Sequence, residues 1–356
     1  MTIRVGIFGA SFAKAAYLPA LATIDDVEVV AVASARLESA RATAEQFGVP
    51  HAYDDWRQLL DKHEVDLVGI ATPTIYHAPM ALAALDAGAH VLCEKPMAMN
   101  ADEARQMLER AESLNRLHMI GHELRFNPNR RKIQQLIADG YIGDVRHVHV
   151  VNITPTWGDP ATRPAGDWWS LASMGGGRLG ANGSHQIDLL RFWLGDIGAI
   201  CGQVATMVPN RVDPKTGESW TATADDVVSF SLEMQNGAWA SVFLSGVARH
   251  NMGNHVQIFG SEGSILLSND DEKLMVAKAG EPFEDMSETD PNADLPGIGK
   301  GIWNVSFVGL MQELTAAIRE VRPTHAGATF ADGLKTQQAM DAVHQSYAER
   351  RWITLS

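Results

Sequence analysis

Two side chains in this sequence are of types that move protons and stand where they could do so. The first is Lys95, in His90-Val91-Leu92-Cys93-Glu94-Lys95-Pro96, an apolar strand that stops abruptly in a carboxylate, an amine and a proline. A lysine at the carboxyl end of a strand in an open α/β sheet faces the crevice where such folds bind ligands. Partial desolvation there brings an amine down from about 10.4 toward the range useful for proton transfer. The second is His185, in Gly183-Ser184-His185-Gln186-Ile187-Asp188, downstream of the triple glycine Gly175-Gly176-Gly177. An imidazole, near 6.5 when unperturbed, serves as a base or orients a substrate. The plain alternatives are a lysine capping a surface turn and a hydrogen-bonded core histidine. Either group is of a type that takes or returns a proton in general acid–base chemistry.

The N-terminal segment offers a place for a dinucleotide. The strand Ile3–Phe8 runs into Gly9-Ala10-Ser11-Phe12-Ala13-Lys14 and then a helix. This is where a dinucleotide fold keeps its glycine-rich loop, with the pyrophosphate on the helix N-terminus. Only Gly9 matches; Ser11 and Lys14 stand where two further glycines are usual. Lys14 either adds charge near phosphate or points to solvent. Gly9, Ser11, Phe12 and Ala13 are the expected cofactor contacts. The second strand ends in Ser34 and Arg36 without the acid that would hold the ribose 2′-hydroxyl of NAD. That favours NADP, with NAD the alternative and a solvated Arg36 the plain reading. Thr72-Pro73 turns the chain at the third strand end, where a cofactor would pass, and His77 follows in the next helix, so Thr72, Pro73 and His77 are further cofactor-side candidates.

These residues need a scaffold of alternating strands and helices. Strand-like runs fall at Ile3–Phe8, Val27–Ala33, Asp66–Ala71, His90–Cys93 and His118–Gly121, with helical segments at Leu37–Phe47, His77–Ala87 and Ala101–Leu114. Asn100 is positioned to cap the last of these. That alternation implies a parallel sheet covered on both faces. After about Arg125 the pattern changes to a helix at Arg130–Asp139 and strands at Val145–Ile153, Val227–Met234, Trp239–Ser245, Val256–Phe259 and Ser264–Leu267. Gln235-Asn236-Gly237 reads as a hairpin turn. Helices are expected at Ile187–Leu194, Phe307–Val321 and Gly333–Arg350, and a loop over Glu281–Lys300. The fold class is α/β: a Rossmann domain over residues 1–122, then an α+β domain over 123–356 with a large, mostly antiparallel open sheet.

Composition sets outer limits. With 356 residues, 46% apolar and 20% charged, the chain has material for about two packed domains. A net charge of -14 excludes non-specific nucleic-acid binding, which needs a basic face. Cys93 and Cys201 form neither a disulfide framework nor a zinc pattern. His250, Asn251 and His255 have no standard ligand spacing, so no metal is expected. No apolar run reaches the ~20 residues of a membrane helix, and a cytoplasmic location is expected.

Taken in order, several pieces resemble the Gfo/Idh/MocA oxidoreductase family. They are Gly9 with Phe12 and Leu18-Pro19-Ala20-Leu21, Ala71-Thr72-Pro73 with His77, and Ala87-Gly88-Ala89-His90-Val91 leading to Glu94-Lys95-Pro96. Arg125-Phe126 with Pro128, the triple glycine, the run Gly183–Asp188 and Gly260-Ser261-Glu262-Gly263-Ser264 complete the set. The resemblance implies NAD(P)-dependent hydride transfer at a hydroxyl or carbonyl carbon of a sugar, cyclitol or related compound. It implies Lys95 as the catalytic lysine, His185 as its partner, Glu94, Lys95 and Pro96 at the nicotinamide end of the cofactor, and a homodimer or homotetramer. One position departs: where the family commonly has Asp, four residues before the histidine, this chain has Ala181, with Asn182 beside it. Arg125, Trp168, Trp169 and Asn182 are expected toward the substrate. The missing acid and the incomplete glycine loop motivate one alternative, a non-catalytic NAD(P)-binding sensor or regulatory protein; another is a lyase, hydrolase or epimerase that uses tightly held NAD transiently.

Overall fold

The computed structural model describes residues 2–268 and 272–355, which group into two compact units. The first comprises Met1–Asn127 and Asp290–Leu334, the second Pro128–Thr289 and Lys335–Ser356.

Six strands build the sheet of the first unit: β1 (Ile3–Phe8), β2 (Val27–Ala33), β3 (His51–Tyr53), β4 (Leu67–Ile70), β5 (His90–Cys93) and β6 (His118–Ile120). All pair in parallel, in the order β3-β2-β1-β4-β5-β6. The winding reverses between β1 and β4, which creates the switch point where open α/β sheets bind ligands. Strands covered on both faces read as continuous apolar runs, and all four residues of β4 are buried accordingly. The crossovers carry α1 (Leu18–Leu21), α2 (Leu37–Phe47), α3 (Trp56–Lys62), α4 (His77–Asp86) and α5 (Ala101–Ser113). Asn100 caps α5 as its type demands, its side-chain oxygen accepting the Glu103 N–H at 3.0 Å. Gly48, at φ +68°, ends α2.

The helix Ile302–Glu320 also belongs to this unit. Its apolar residues Phe307, Val308, Leu310, Met311 and Leu314 join one core with Ile3, Val5, Ile7, Tyr17 and Leu18. The unit is therefore discontinuous in sequence, whereas a reading by local pattern draws one boundary after residue 122. Periodicity reports which face of a helix is apolar and not which distant surface covers it.

The second unit holds α6 (Pro128–Ala138), α7 (Ser184–Leu194) and the strands β7 (Val145–Ile153), β8 (Ile197–Ala205), β9 (Asn210–Val212), β10 (Ser219–Thr221), β11 (Val227–Met234), β12 (Trp239–Ser245), β13 (Gly253–Gly260), β14 (Gly263–Ser268), β15 (Lys273–Lys278), β16 (Glu284–Asp285) and β17 (Ile353–Thr354). Nine of them form one sheet in the order β16-β15-β14-β13-β7-β12-β11-β8-β17. Only the β7–β12 pair is parallel. Alternation is clear in β11, where Val228, Phe230, Leu232 and Met234 are buried and the residues between them are not. The opposite face keeps Trp239, Phe243, His147 and His149 exposed. Met234 and Ala238 close the expected hairpin turn, with Gly237 at φ +90°. β8 was hidden to periodicity because Gly198, Ala199, Cys201 and Gly202 thin out its apolar alternation. Among the described residues no helix is long and apolar enough to cross a membrane.

Candidate active site

In the first unit the site grows out of sheet register. Phe8 pairs with Ile70, Ile70 with Cys93 and Cys93 with Ile120, so these four form one row across the sheet. Ladder bonding continues one residue further. Gly9 N–H donates to Ala33, Ala71 N–H to Phe8, Glu94 N–H to Ile70 and Gly121 N–H to Cys93, at 2.7–2.9 Å. The carboxyl edge is thereby fixed through Gly9, Ala71, Glu94 and Gly121, and Lys95 is the next residue out. Gly9 is required twice over: its φ is +101°, and a Cβ there would overlap the Ala71 carbonyl. A glycine here lets the ends of β1 and β4 approach closely.

Lys95 is half-buried and its peptide bond to Pro96 is cis. Its N–H donates to Glu94 Oε2 at 3.4 Å. The Glu94 carboxyl is buried, and burial pushes its pKa up to about 7, against the pull of the Lys95 ammonium and of a hydrogen bond from Tyr17. His77 is fully buried, with Nδ1 2.9 Å from the Pro96 carbonyl and Nε2 2.8 Å from the Thr72 carbonyl. The ring braces the two turns that leave β4 and β5. Burial, with the Lys95 charge, holds its pKa below the ordinary value and so favours the neutral ring, whose single N–H donates to one of the two carbonyls at a time. Thr72 and Pro73 sit half-buried on that braced turn.

The remaining cofactor candidates lie along the same edge. Ser11 and Phe12 are exposed at the start of a helical stretch over residues 11–21, and Ala13 is buried beneath them. Ala13–Tyr17 winds as a π-helical turn, a deviation frequent at functional sites. Ser34 N–H donates to the Tyr53 carbonyl at 3.0 Å, which ties β2 to β3 at their ends. Arg36 is exposed at the N-cap of α2, where no side chain caps the helix. Gly9, the open start of the helix and the Ser34–Arg36 corner fit a dinucleotide. Of the substrate-side candidates, Arg125 is buried and pairs with Asp332 at 3.2 Å within this unit.

His185 belongs to the second unit, near the start of α7, and is buried. How that helix begins explains the glycines before it. Gly177 has φ +122°, and a Cβ there would overlap the Asp225 carboxylate. That carboxylate accepts the Leu179 N–H at 2.8 Å, while the Asp225 carbonyl accepts the Arg178 N–H at 2.8 Å. Asp225 thus fixes the turn from which Leu179–Gly183 winds as a second π-helical turn and passes directly into α7. Burial raises the Asp225 pKa. The Arg178 guanidinium reaches Asn152 Oδ1, at the end of β7. Asn182 is buried with its side-chain oxygen 3.4 Å from Gln186 Nε2, and Ala181 is half-buried. Trp168 and Trp169 are half-buried and stack on one another at 3.9 Å between centroids.

Sequence reasoning did not find Tyr17, Arg178 or Asp225. A lone phenol in an apolar helix start and the paired acids Asp225-Asp226 before β11 were the available signals. Neither says which backbone group it will meet.

Comparison with known proteins gives the site its context. Residues 3–122 match a family model described as an oxidoreductase family with an NAD-binding Rossmann fold. Residues 130–266 match the GFO/IDH/MocA C-terminal domain. The chain is 28% identical over 345 residues to levoglucosan dehydrogenase of Pseudarthrobacter phenanthrenivorans, covering 90% of this chain and 88% of that protein. It is 26% identical to inositol 2-dehydrogenase of Rhizobium meliloti across 100% of both chains. A solved levoglucosan dehydrogenase in complex with NADH and levoglucosan superposes with a TM-score of 0.89 at 27% identity, covering 100% of each chain.

Proposed function

This chain belongs to the Gfo/Idh/MocA family of oxidoreductases, and from that premise we propose that it is a dehydrogenase or reductase of a sugar, cyclitol or similar polyol. The observation that carries this reading is Lys95 leaving β5 one residue beyond the bonded carboxyl edge, the edge at which Gly9 also ends β1. A bound nicotinamide supplies or accepts the hydride. Lys95 contacts the reacting oxygen, and its ammonium stabilises the negative charge that gathers there. His185 accepts the hydroxyl proton during oxidation and returns it during reduction. With Ala181 in the place of the usual acid, Lys95 carries a larger part of the chemistry. Glu94, Pro96, Thr72 and His77 support the nicotinamide end from behind, His77 as the brace of its two turns. Arg125, Trp168, Trp169 and Asn182 shape the surroundings of the substrate.

Ser34 and Arg36 favour NADP(H) over NAD(H). Fluorescence titration with NADPH and with NADH tests this, and tighter binding of NADH refutes it. The preferred form is then screened against sugars and cyclitols. Binding without turnover across that panel supports the sensor reading, which the absence of an acid at residue 181 favours. Cofactor that copurifies and does not exchange supports the transient-oxidant reading. The exposed sheet face bearing Trp239, Phe243, His147 and His149 suits a homodimer or homotetramer, which light scattering on the purified protein measures. Unpaired Cys93 and Cys201 suit a cytoplasmic setting.

A further inference from the structure

The middle of the nine-stranded sheet carries two histidines that face outward together. β7 is the central strand in the order of the sheet, and His147 and His149 are alternate residues on it, so both project from one face. Both are exposed, with ring centroids 5.4 Å apart. Neighbouring strands orient them. His147 lies opposite Phe259 of β13 and stacks on its ring at 4.8 Å, with 23° between the planes. His149 lies opposite Ser241 of β12, whose hydroxyl is 2.6 Å from its Nδ1. That bond occupies Nδ1 and leaves Nε2 as the ligating nitrogen, the way a supporting group orients a metal-binding imidazole. On this face β7, β12 and β13 carry no Lys, Arg, Asp or Glu, so no fixed charge on them repels a cation or engages the rings. Imidazoles suit Zn, Cu and Ni, but a closed zinc site takes four ligands. Among the described residues no group of three or more His, Cys, Asp or Glu could hold a metal ion. One chain therefore supplies half of a site.

We propose that His147 and His149 are half of a transition-metal site, completed by the same pair of a second copy seated face to face on this sheet, with one ion held by four imidazoles. The inference rests on the reading of this face as an interface between copies. Trp239 and Phe243 leave large apolar rings on it, 52% and 41% exposed, as surfaces that meet a partner do. Seven of its strands are six to nine residues long. At ~4.8 Å between strands they span roughly 700–1,000 Å², close to the ~800 Å² that each partner gives to a stable complex. An interface with two-fold symmetry uses the same patch on both copies, so an axis through the middle of the sheet sets β7 against β7. Packed sheets lie about 10 Å apart, a gap that imidazoles enter from both sides to meet at one ion. Zinc fits such a centre best, because it imposes no geometric preference of its own and binds imidazole nitrogen at about 2.0–2.1 Å.

The experiment uses the untagged full chain, as wild type and as the double variant His147→Gln with His149→Gln, each stripped with EDTA and dialysed. Equilibrium dialysis against Zn²⁺ at about pH 7.5, above the ordinary imidazole value, counts bound ions, and light scattering over a dilution series gives the mass. Wild type should bind one Zn²⁺ per two chains, and the double variant should lack that ion. With free zinc at about ten times its dissociation constant, the wild-type dimer should persist to about tenfold lower protein concentration than in EDTA. Thermal unfolding of wild type should rise with zinc as well, and the double variant should show neither change. One Zn²⁺ per chain, or equal zinc binding by the two proteins, overturns the bridged site. A wild-type dimer that binds no zinc overturns the site and leaves the interface reading standing, whereas a monomer with and without zinc overturns both.

Discussion

The surroundings of Lys95 and of His185 solve the same problem by different means. Lys95 follows a strand whose hydrogen-bond ladder runs past its end, and neighbouring strands hold the edge through backbone groups. His185 sits on a helix whose start is set by one buried side chain, the Asp225 carboxylate, packed against a glycine. Register makes the first region rigid with little dependence on any one side chain. The second concentrates the same duty in a single capping bond. Side-chain substitutions should therefore be tolerated around the strand ends and felt at the helix start, whereas backbone substitutions should do most harm at the strand ends.

The largest expected effect removes the chemistry and leaves the frame. Lys95→Ala should lower kcat by about 10²–10⁴-fold, the range for loss of a positioned proton-transfer group. Circular dichroism should stay close to wild type, and near-normal turnover would sink the mechanism. Next comes a change of backbone shape. Gly9→Ala forces a side chain onto a carbonyl at φ +101°, so thermal unfolding should drop by the equivalent of at least ~1–3 kcal/mol, with NADPH and NADH binding lost in fluorescence titration. Gly177→Ala, at φ +122°, should cost less, because its clash is with a carboxylate oxygen and not with a backbone carbonyl. Equal losses at the two glycines would erase the contrast.

Asp225 offers a finer cut. Asp225→Ala removes the acceptor for Leu179 N–H and should cost ~0.5–2 kcal/mol in urea unfolding, with kcat falling through His185. Asp225→Asn keeps an acceptor and removes a charge that burial disfavours. It should equal or exceed wild-type stability at pH 7, and a loss as large as that of the alanine variant would show that the charge itself is needed.

The smallest effect concerns the sheet of the first unit away from the site. His118 Nδ1 accepts the Phe330 N–H at 3.0 Å and so must be unprotonated, and burial lowers its pKa to about 4. The unfolded chain titrates near 6.5. Between these values the unfolded state binds more protons, so the stability that His118 contributes is present above pH 6.5 and is lost as pH falls toward 4. His118→Gln should flatten that part of the stability–pH curve, and an unchanged slope would assign the acid sensitivity to other groups.

Much of this was legible in the sequence, for reasons that differ by element. β1, β2, β5, β7, β11 and β12 fall on the expected residues because each is a short apolar or alternating run bounded by clear turn signals. The Asn100 cap was readable because its partner lies three residues away. Local chemistry also marked Glu94-Lys95-Pro96 and the glycines around His185 as unusual. What lay beyond reach were effects that join distant segments. The helix Ile302–Glu320 covers the β1 side of the first sheet, His77 bridges the Thr72 and Pro96 turns, and Asp225 meets Leu179.

The sequence by itself determined the fold class, the strand-end lysine and the absence of an acid at Ala181, since residue type and spacing carry all three. Tertiary structure decided that Glu94 is buried on Tyr17, that His77 is a brace, and that Gly177 exists to admit a carboxylate. The physical reason is that burial and hydrogen-bond partnership are properties of surroundings assembled from residues 19 to 77 positions apart, and local periodicity encodes none of those meetings.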